Sequence, residues 1–327
     1  MSETSRGKIF VTRELPGSAL TRLQQSHQVS IWPHRTQPTP AELLDNVAGC
    51  HGLLTLLSDR IDERVMEAAG SGLQVISNYA VGYNNIDLAA AGRRGIRVGN
   101  TPDVLTDATA DLAVTLLLAA ARRVKEASDE VRGGQWQTWE PAGLLGRELR
   151  GKTLGVVGIG RIGTAFAQRM VGGWNMKLLY TSRSPQAEVD EKLGGRRVEL
   201  DELLRESDFV SVHVALCEET RHLIDAAALA NMKPSAILVN TARGEIIDQE
   251  ALVQALREEV IFAAALDVTT PEPLPPSHPL VGLPNALVLP HIGSATDTAR
   301  HEMAEIAVDN VLAGMSGQAL RCEVPLA

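Results

Sequence analysis

Residues 153–163 read Thr-Leu-Gly-Val-Val-Gly-Ile-Gly-Arg-Ile-Gly, an apolar strand-like run that meets three glycines at the spacing G-x-G-x-x-G. A helical pattern follows at once, from Arg161 to Met170. Nothing else in the chain restricts the fold as much, because each glycine has a separate steric task. Gly158 allows a tight turn, Gly160 lets a pyrophosphate approach the backbone, and Gly163 lets the helix lie close on the strand. The free N–H groups and positive dipole end of the helix, where Arg161 and Ile162 sit, favour phosphate. The reading is a dinucleotide-binding strand–turn–helix.

The rest of the chain repeats that alternation. Before the motif, strands are expected at Lys8–Thr12, Gly52–Leu56, Leu73–Ser77 and Ile96–Val98, with helices at Thr39–Val47 and Asp62–Ala69. Pro40 starts the first of these helices, and Gly70 and Gly72 end the second. A long helical pattern runs from Val104 to Arg132, followed by a Trp-containing loop to Leu149. After the motif come strands at Met176–Tyr180, Phe209–Val214, Ala236–Val239, Ile261–Asp267 and Ala286–Leu289. Strands alternating with helices imply parallel sheets covered on both faces. At 327 residues the chain exceeds what one core supports. An amphipathic helix from Ala295 to Leu312 has no core of its own and is expected to return to the first domain. The expected division is 1–104 with 297–327, and 105–296.

A net charge of −9 argues against a nucleic-acid partner. The longest apolar run, Leu112–Ala121, falls far short of the about 20 residues of a membrane span. The opening residues lack the apolar segment of a signal peptide. Cys50, Cys217 and Cys322 are scattered without metal-ligand spacing, and together these features point to a cytoplasmic protein without a metal.

The strand after the glycine motif ends Tyr180-Thr181-Ser182-Arg183. An NAD site usually carries an acid here to hold the ribose 2′-hydroxyl. A hydroxyl and a guanidinium suit a 2′-phosphate instead, so NADP(H) is expected, with NADH the weaker alternative. Three later strands end in reactive groups: NTARG (240–244) delivers Arg243, ALDVTTPEP (265–273) delivers Asp267 and Glu272, and PHIGSAT (290–296) delivers His291. In open α/β sheets ligands bind beyond such strand ends. Arg243 can hold a carboxylate and a neighbouring carbonyl oxygen, and His291 can exchange a proton with that oxygen. Glu272 can orient and charge the imidazole, and Asp267 can face the nicotinamide.

These runs together, with HGLLTLLSD (51–59), NYAVGYNNID (78–87) and RVGNTPDVLTDATADLA (97–113), resemble the D-2-hydroxyacid dehydrogenase family, most closely its glyoxylate/hydroxypyruvate reductases. The resemblance covers essentially the whole chain. It implies an α/β fold of two Rossmann-like, doubly wound parallel-sheet domains. The flavodoxin-like substrate domain would be discontinuous and would close over the cofactor domain. It implies Arg243, Glu272 and His291 as the catalytic trio, and the backbone of Val81 and Gly82 as the carboxylate site. Thr220, Asp267 and Ser294 would join the glycine loop, Ser182 and Arg183 around the cofactor. It further implies a homodimer in which Trp139 reaches the partner's active site. The implied reaction is NADPH-dependent reduction of small 2-keto acids, glyoxylate to glycolate and hydroxypyruvate to D-glycerate. The alternatives are an NAD-dependent dehydrogenase of another D-2-hydroxy acid, or a non-catalytic, dinucleotide-sensing corepressor on the same fold. One departure stands out: many relatives carry proline where this chain has Ala215, in a loop near the cofactor phosphates.

Overall fold

The computed structural model describes residues 7–326. Residues 1–6 of the stretch inspected above for targeting signals, and residue 327, lie outside it. The chain divides into two units: residues up to Leu105 together with those from Ala295 onward, and Thr106–Ser294.

The first unit is built on β1 (Lys8–Val11), β2 (Gln28–Ile31), β3 (Gly52–Thr55), β4 (Val75–Asn78) and β5 (Arg97–Gly99). They form a parallel sheet in the order β2-β1-β3-β4-β5. Local signals set the connecting helices. Thr39 and Glu42 form a reciprocal capping box at Pro40–Val47, and Asp62 caps Glu63–Ala69 by accepting from the Val65 N–H. The helix Asp297–Met315 packs on β3, β4 and β5, burying Ala304, Ala307, Val308 and Val311. Its approach is close enough that a Cβ added at Gly314 would lie 2.5 Å from the Val75 Cβ.

The second unit contains β6 (Thr153–Val157), β7 (Lys177–Thr181), β8 (Arg196–Arg197), β9 (Phe209–Val212), β10 (Ile237–Asn240), β11 (Ala263–Leu266) and β12 (Ala286–Val288). Their order is β12-β11-β10-β9-β6-β7-β8, again wholly parallel. Strand order reverses at β6, the switch point where α/β sheets open a crevice. The helix Thr106–Ala121 packs on the helix Arg161–Trp174 and on β10 and β11. It buries Ala110, Ala113, Leu116, Leu117 and Ala121, so the apolar run Leu112–Ala121 is core. Among the described residues no helix is long and apolar enough to cross a membrane, and no group of side chains could hold a metal ion.

Several elements differ from expectation, and three of the differences have a clear physical cause. The single helix expected over Val104–Arg132 is two, Thr106–Ala121 and Val124–Arg132, broken at Arg123 with φ +52°. The Ala121 carbonyl accepts from Arg147 N at 2.7 Å, so the returning chain takes the acceptor a continuing helix would need. The helix expected to stop at Met170 runs to Trp174, where Asn175 ends it at φ +51°. The third is β2, which the sequence pattern does not announce. It is an edge strand with Gln28 and Ser30 exposed and only Val29 and Ile31 half-buried, too short and polar to stand out.

Substituting Gly314→Ala should force Val75 aside and destabilise the first unit by about 1–3 kcal/mol. The midpoint of urea unfolding should fall; an unchanged midpoint would refute the close packing.

Candidate active site

The glycine turn after β6 has a different steric environment at each position. Gly158 sits at φ +93°, and a Cβ there would lie 2.8 Å from Val214 N. A Cβ on Gly163 would come within 2.2 Å of the Gly158 carbonyl, so only glycine lets the helix reach its strand. Gly160, by contrast, has no heavy atom within 4 Å of the Cβ position, leaving an open approach to the helix end where Arg161 and Ile162 begin the first turn. These residues fit a dinucleotide pyrophosphate. At the end of β7, Ser182 Oγ donates to the Ser184 carbonyl at 2.5 Å, and Arg183 is exposed. Thr220 Oγ1 donates to the Ala215 carbonyl at 2.7 Å and accepts from Cys217 N at 2.8 Å, closing the loop that lacks proline. His213, just after β9, bonds Ser211 Oγ through Nε2 at 2.8 Å, and burial pulls its pKa down to about 3, so it is neutral.

Arg243, Asp267, Glu272 and His291 follow the neighbouring strands β10, β11 and β12, whose parallel pairing brings their C-terminal ends to one edge. The turn carrying Arg243 is shaped by buried Asn240. Its Nδ2 donates to the Arg243 carbonyl at 2.8 Å and its Oδ1 accepts from Ala242 N at 2.9 Å. A Cβ on Gly244 would meet the Thr269 backbone at 2.2 Å, so the loops after β10 and β11 are in contact. Burial pulls the Arg243 guanidinium below its usual range, opposed by Glu272 and Glu245.

His291 Nδ1 lies 2.8 Å from Glu272 Oε2, with side chains 23% and 31% exposed. Thr269 N donates to the other oxygen, Oε1, at 2.9 Å. Burial works to raise the Glu272 carboxyl. The hydrogen bond and charge of His291, the Thr269 N–H and Arg243 outweigh it and hold the group below its usual range. An ionised carboxylate only accepts, so Nδ1 carries hydrogen and Nε2 is left for proton exchange.

Asp267 is 1% exposed and holds the turn around His291. Its oxygens accept from Ile292 N and Gly293 N, each at 2.7 Å, and its carbonyl accepts from His291 N at 2.9 Å. Burial raises its carboxyl against these donors and His291. His291 itself adopts φ +54°, and Ser294 follows half-buried behind Gly293.

In the first unit, Val81 and Gly82 follow β4 on a loop fixed by side-chain amides. Asn100 Nδ2 donates to the Val81 carbonyl at 2.8 Å, and Asn78 Nδ2 to the Gly82 carbonyl at 2.9 Å. Asn78 also exchanges hydrogen bonds with Asn85 and accepts from Thr55 Oγ1 at 3.0 Å. Asn310 supports Asn100 by donating to its carbonyl at 3.1 Å. Both loop carbonyls are engaged, and among the described residues neither the Val81 nor the Gly82 N–H donates a hydrogen bond. Asn78, Asn85, Asn100 and Asn240 do not stand out in the sequence. For Asn78, Asn100 and Asn240 the only signal is asparagine at or just beyond a strand end, and Asn85 lies in mid-loop without even that.

Residues 114–293 match the D-isomer specific 2-hydroxyacid dehydrogenase, NAD binding domain, family. With relatives matched along nearly its whole length, the chain belongs to the D-2-hydroxyacid dehydrogenases and is an enzyme of that family. It is 44% identical over 322 residues to the glyoxylate reductase/hydroxypyruvate reductase of Homo sapiens, covering 98% of each chain. The crystal structure of the TT0316 protein from Thermus thermophilus superposes with a TM-score of 0.90 at 50% identity, covering 97% of this chain and 100% of that one. An NADPH-dependent glyoxylate/hydroxypyruvate reductase from Sinorhizobium meliloti, solved with NADP and malonate, gives 0.82 at 31% identity, covering 98% and 97%.

Two outcomes follow from the site's chemistry. Asn78→Ala would strand the Gly82 carbonyl, the Thr55 hydroxyl and Asn85, at a cost of roughly 1–3 kcal/mol measurable by thermal unfolding. The depressed native pKa of Glu272 stabilises the fold fully above the unfolded carboxyl pKa of about 4.3, and that contribution is lost as pH falls through the native value. Between pH 6 and pH 3 the wild type should therefore lose stability relative to Glu272→Gln. Parallel stability curves would contradict the pairing.

Proposed function

We propose that this protein is an NADPH-preferring reductase of small 2-keto acids, converting glyoxylate to glycolate and hydroxypyruvate to D-glycerate. The observation that carries this reading is the His291–Glu272 pair beside Arg243, held at three adjacent strand ends of the sheet that carries the glycine cradle. The glyoxylate reductases among its relatives support the substrate class. The absence of an acid at Thr181-Ser182-Arg183 supports NADPH over NADH.

When bound, a reduced nicotinamide supplies hydride to the keto carbon. Gly158, Gly160, Arg161, Ile162 and Gly163 would hold its pyrophosphate, Arg183 its 2′-phosphate with Ser182 beside it, and Thr220 and Ser294 would flank it. Both Asp267 oxygens retain a second lone pair beyond their backbone bonds, enough to meet the nicotinamide amide. Arg243 orients the 2-keto acid through its planar fork and polarises the carbonyl. The unengaged N–H groups of Val81 and Gly82 receive the substrate carboxylate. His291 releases the proton on Nε2 to the forming alkoxide while Glu272 keeps Nδ1 in place. The ring is then neutral and recovers its proton from solvent; the reverse reaction uses the same groups.

The protein acts as a homodimer in the cytoplasm, with Trp139 contributed to the partner's site. Exposed Val124, Val131, Trp136, Trp139 and Leu145 support a partner surface: Trp139 is 80% exposed, an unfavourable state for so large an apolar ring.

Initial rates with NADPH and NADH against glyoxylate and hydroxypyruvate test the reading directly. A large kcat/KM advantage for NADPH is expected. His291→Ala should lower kcat by a factor of roughly 100 to 10,000, and Arg243→Ala should raise KM and lower kcat. Preference for NADH would overturn the cofactor assignment alone. No turnover with any pair would overturn the substrate class.

A further inference from the structure

The end of β7 is shared by a second arginine from the neighbouring edge strand. Arg197 on β8 lies opposite Tyr180 in the parallel register, yet its Nε donates to the Ser182 carbonyl at 2.9 Å. The side chain therefore extends along the strand toward the C-terminal edge, where Ser182 and Arg183 begin the next loop. With Nε tied to a backbone oxygen, the guanidinium is held in place and its two terminal nitrogens remain as a fork.

The charges around it are unevenly compensated. Arg196, its sequence neighbour, pairs with Glu202 at 2.6 Å and Glu206 at 3.2 Å. Lys192 pairs with Glu188 at 2.5 Å, and Asp190 accepts from the Tyr180 hydroxyl at 2.7 Å. Among the described residues, neither Arg183 nor Arg197 has a carboxylate partner. Ser182, the other polar group here, has its hydroxyl donor committed to the Ser184 carbonyl. Two uncompensated guanidinium groups thus flank one strand end whose remaining hydroxyl is occupied, an arrangement suited to a dianionic phosphate.

We infer that Arg197 is a specificity-determining residue that, with Arg183, clamps the 2′-phosphate of NADP(H) from the β8 side. The inference rests on the NADPH reading above and adds to it a residue outside the β7 loop. Arg197 supplies an end-on, two-nitrogen contact fixed by its own Nε bond, and Arg183 supplies charge from the exposed loop.

Calorimetric titration of the full chain with adenosine 2′,5′-bisphosphate and with 5′-AMP separates the 2′-phosphate from the rest of the nucleotide. The wild type should bind the bisphosphate at least about tenfold more tightly. Arg197→Ala should erase about tenfold or more of that preference while leaving 5′-AMP affinity unchanged, and Arg197→Lys should restore part of it by returning charge without the fork. If Arg197→Ala keeps the full preference while Arg183→Ala loses it, the inference fails and the NADPH reading stands. Equal weakening of both ligands by Arg197→Ala would make the residue a brace for the loop and overturn the inference. A wild type that does not discriminate between the ligands would overturn the NADPH reading itself.

Discussion

The carboxylate of Asp267 decides whether the turn that carries His291 keeps its shape. It is almost wholly buried, and both oxygens are bound to consecutive backbone N–H groups beyond β12. Those bonds hold a turn in which His291 has left-handed backbone geometry, a conformation disfavoured for any residue bearing a Cβ. The imidazole can then meet Glu272, which is itself tied to the Thr269 N–H on the β11 loop. Without the carboxylate, two sheltered N–H groups would lack acceptors and the turn would relax, taking the His291 imidazole with it. An aspartate that does not meet the reacting atoms can thus be as necessary as one that does.

Backbone proximity is the second constraint. Gly163 beneath Gly158 and Gly244 against Thr269 each leave a gap too small for a methyl group. The first sets the depth of the cofactor cradle, and the second holds the Arg243 loop against the loop bearing Glu272. Asn240 acts between them, using a side-chain amide to satisfy a turn that the sheet ladder cannot reach.

These features explain which parts of the molecule could be read from sequence. Gly158, Gly160 and Gly163 are conspicuous because their spacing repeats a steric requirement. Arg243, Glu272 and His291 are conspicuous because apolar strands end abruptly in reactive side chains. The parallel α/β architecture follows from the same alternation, and the two observed sheets have it. Features that depend on distant chain segments left no such mark. Arg123 interrupts a good helical pattern because Arg147, far along the chain, claims the Ala121 carbonyl. The amide network of Asn78, Asn85 and Asn100 joins three separate segments, and its residues are ordinary taken singly. Arg197 sits in a two-residue strand whose neighbours are known only once β7 and β8 are paired.

The position of the helix Asp297–Met315 has a consequence for biosynthesis. Strands β3, β4 and β5 are made early, but the helix that covers them is encoded after the entire second unit. On the ribosome, Thr106–Ser294 has all of its own strands before the first sheet can bury that face. The apolar surface at Val75 and its neighbours stays uncovered until the chain beyond Ser294 has been made, so the amino-terminal sheet closes only after the strands of the second unit are complete.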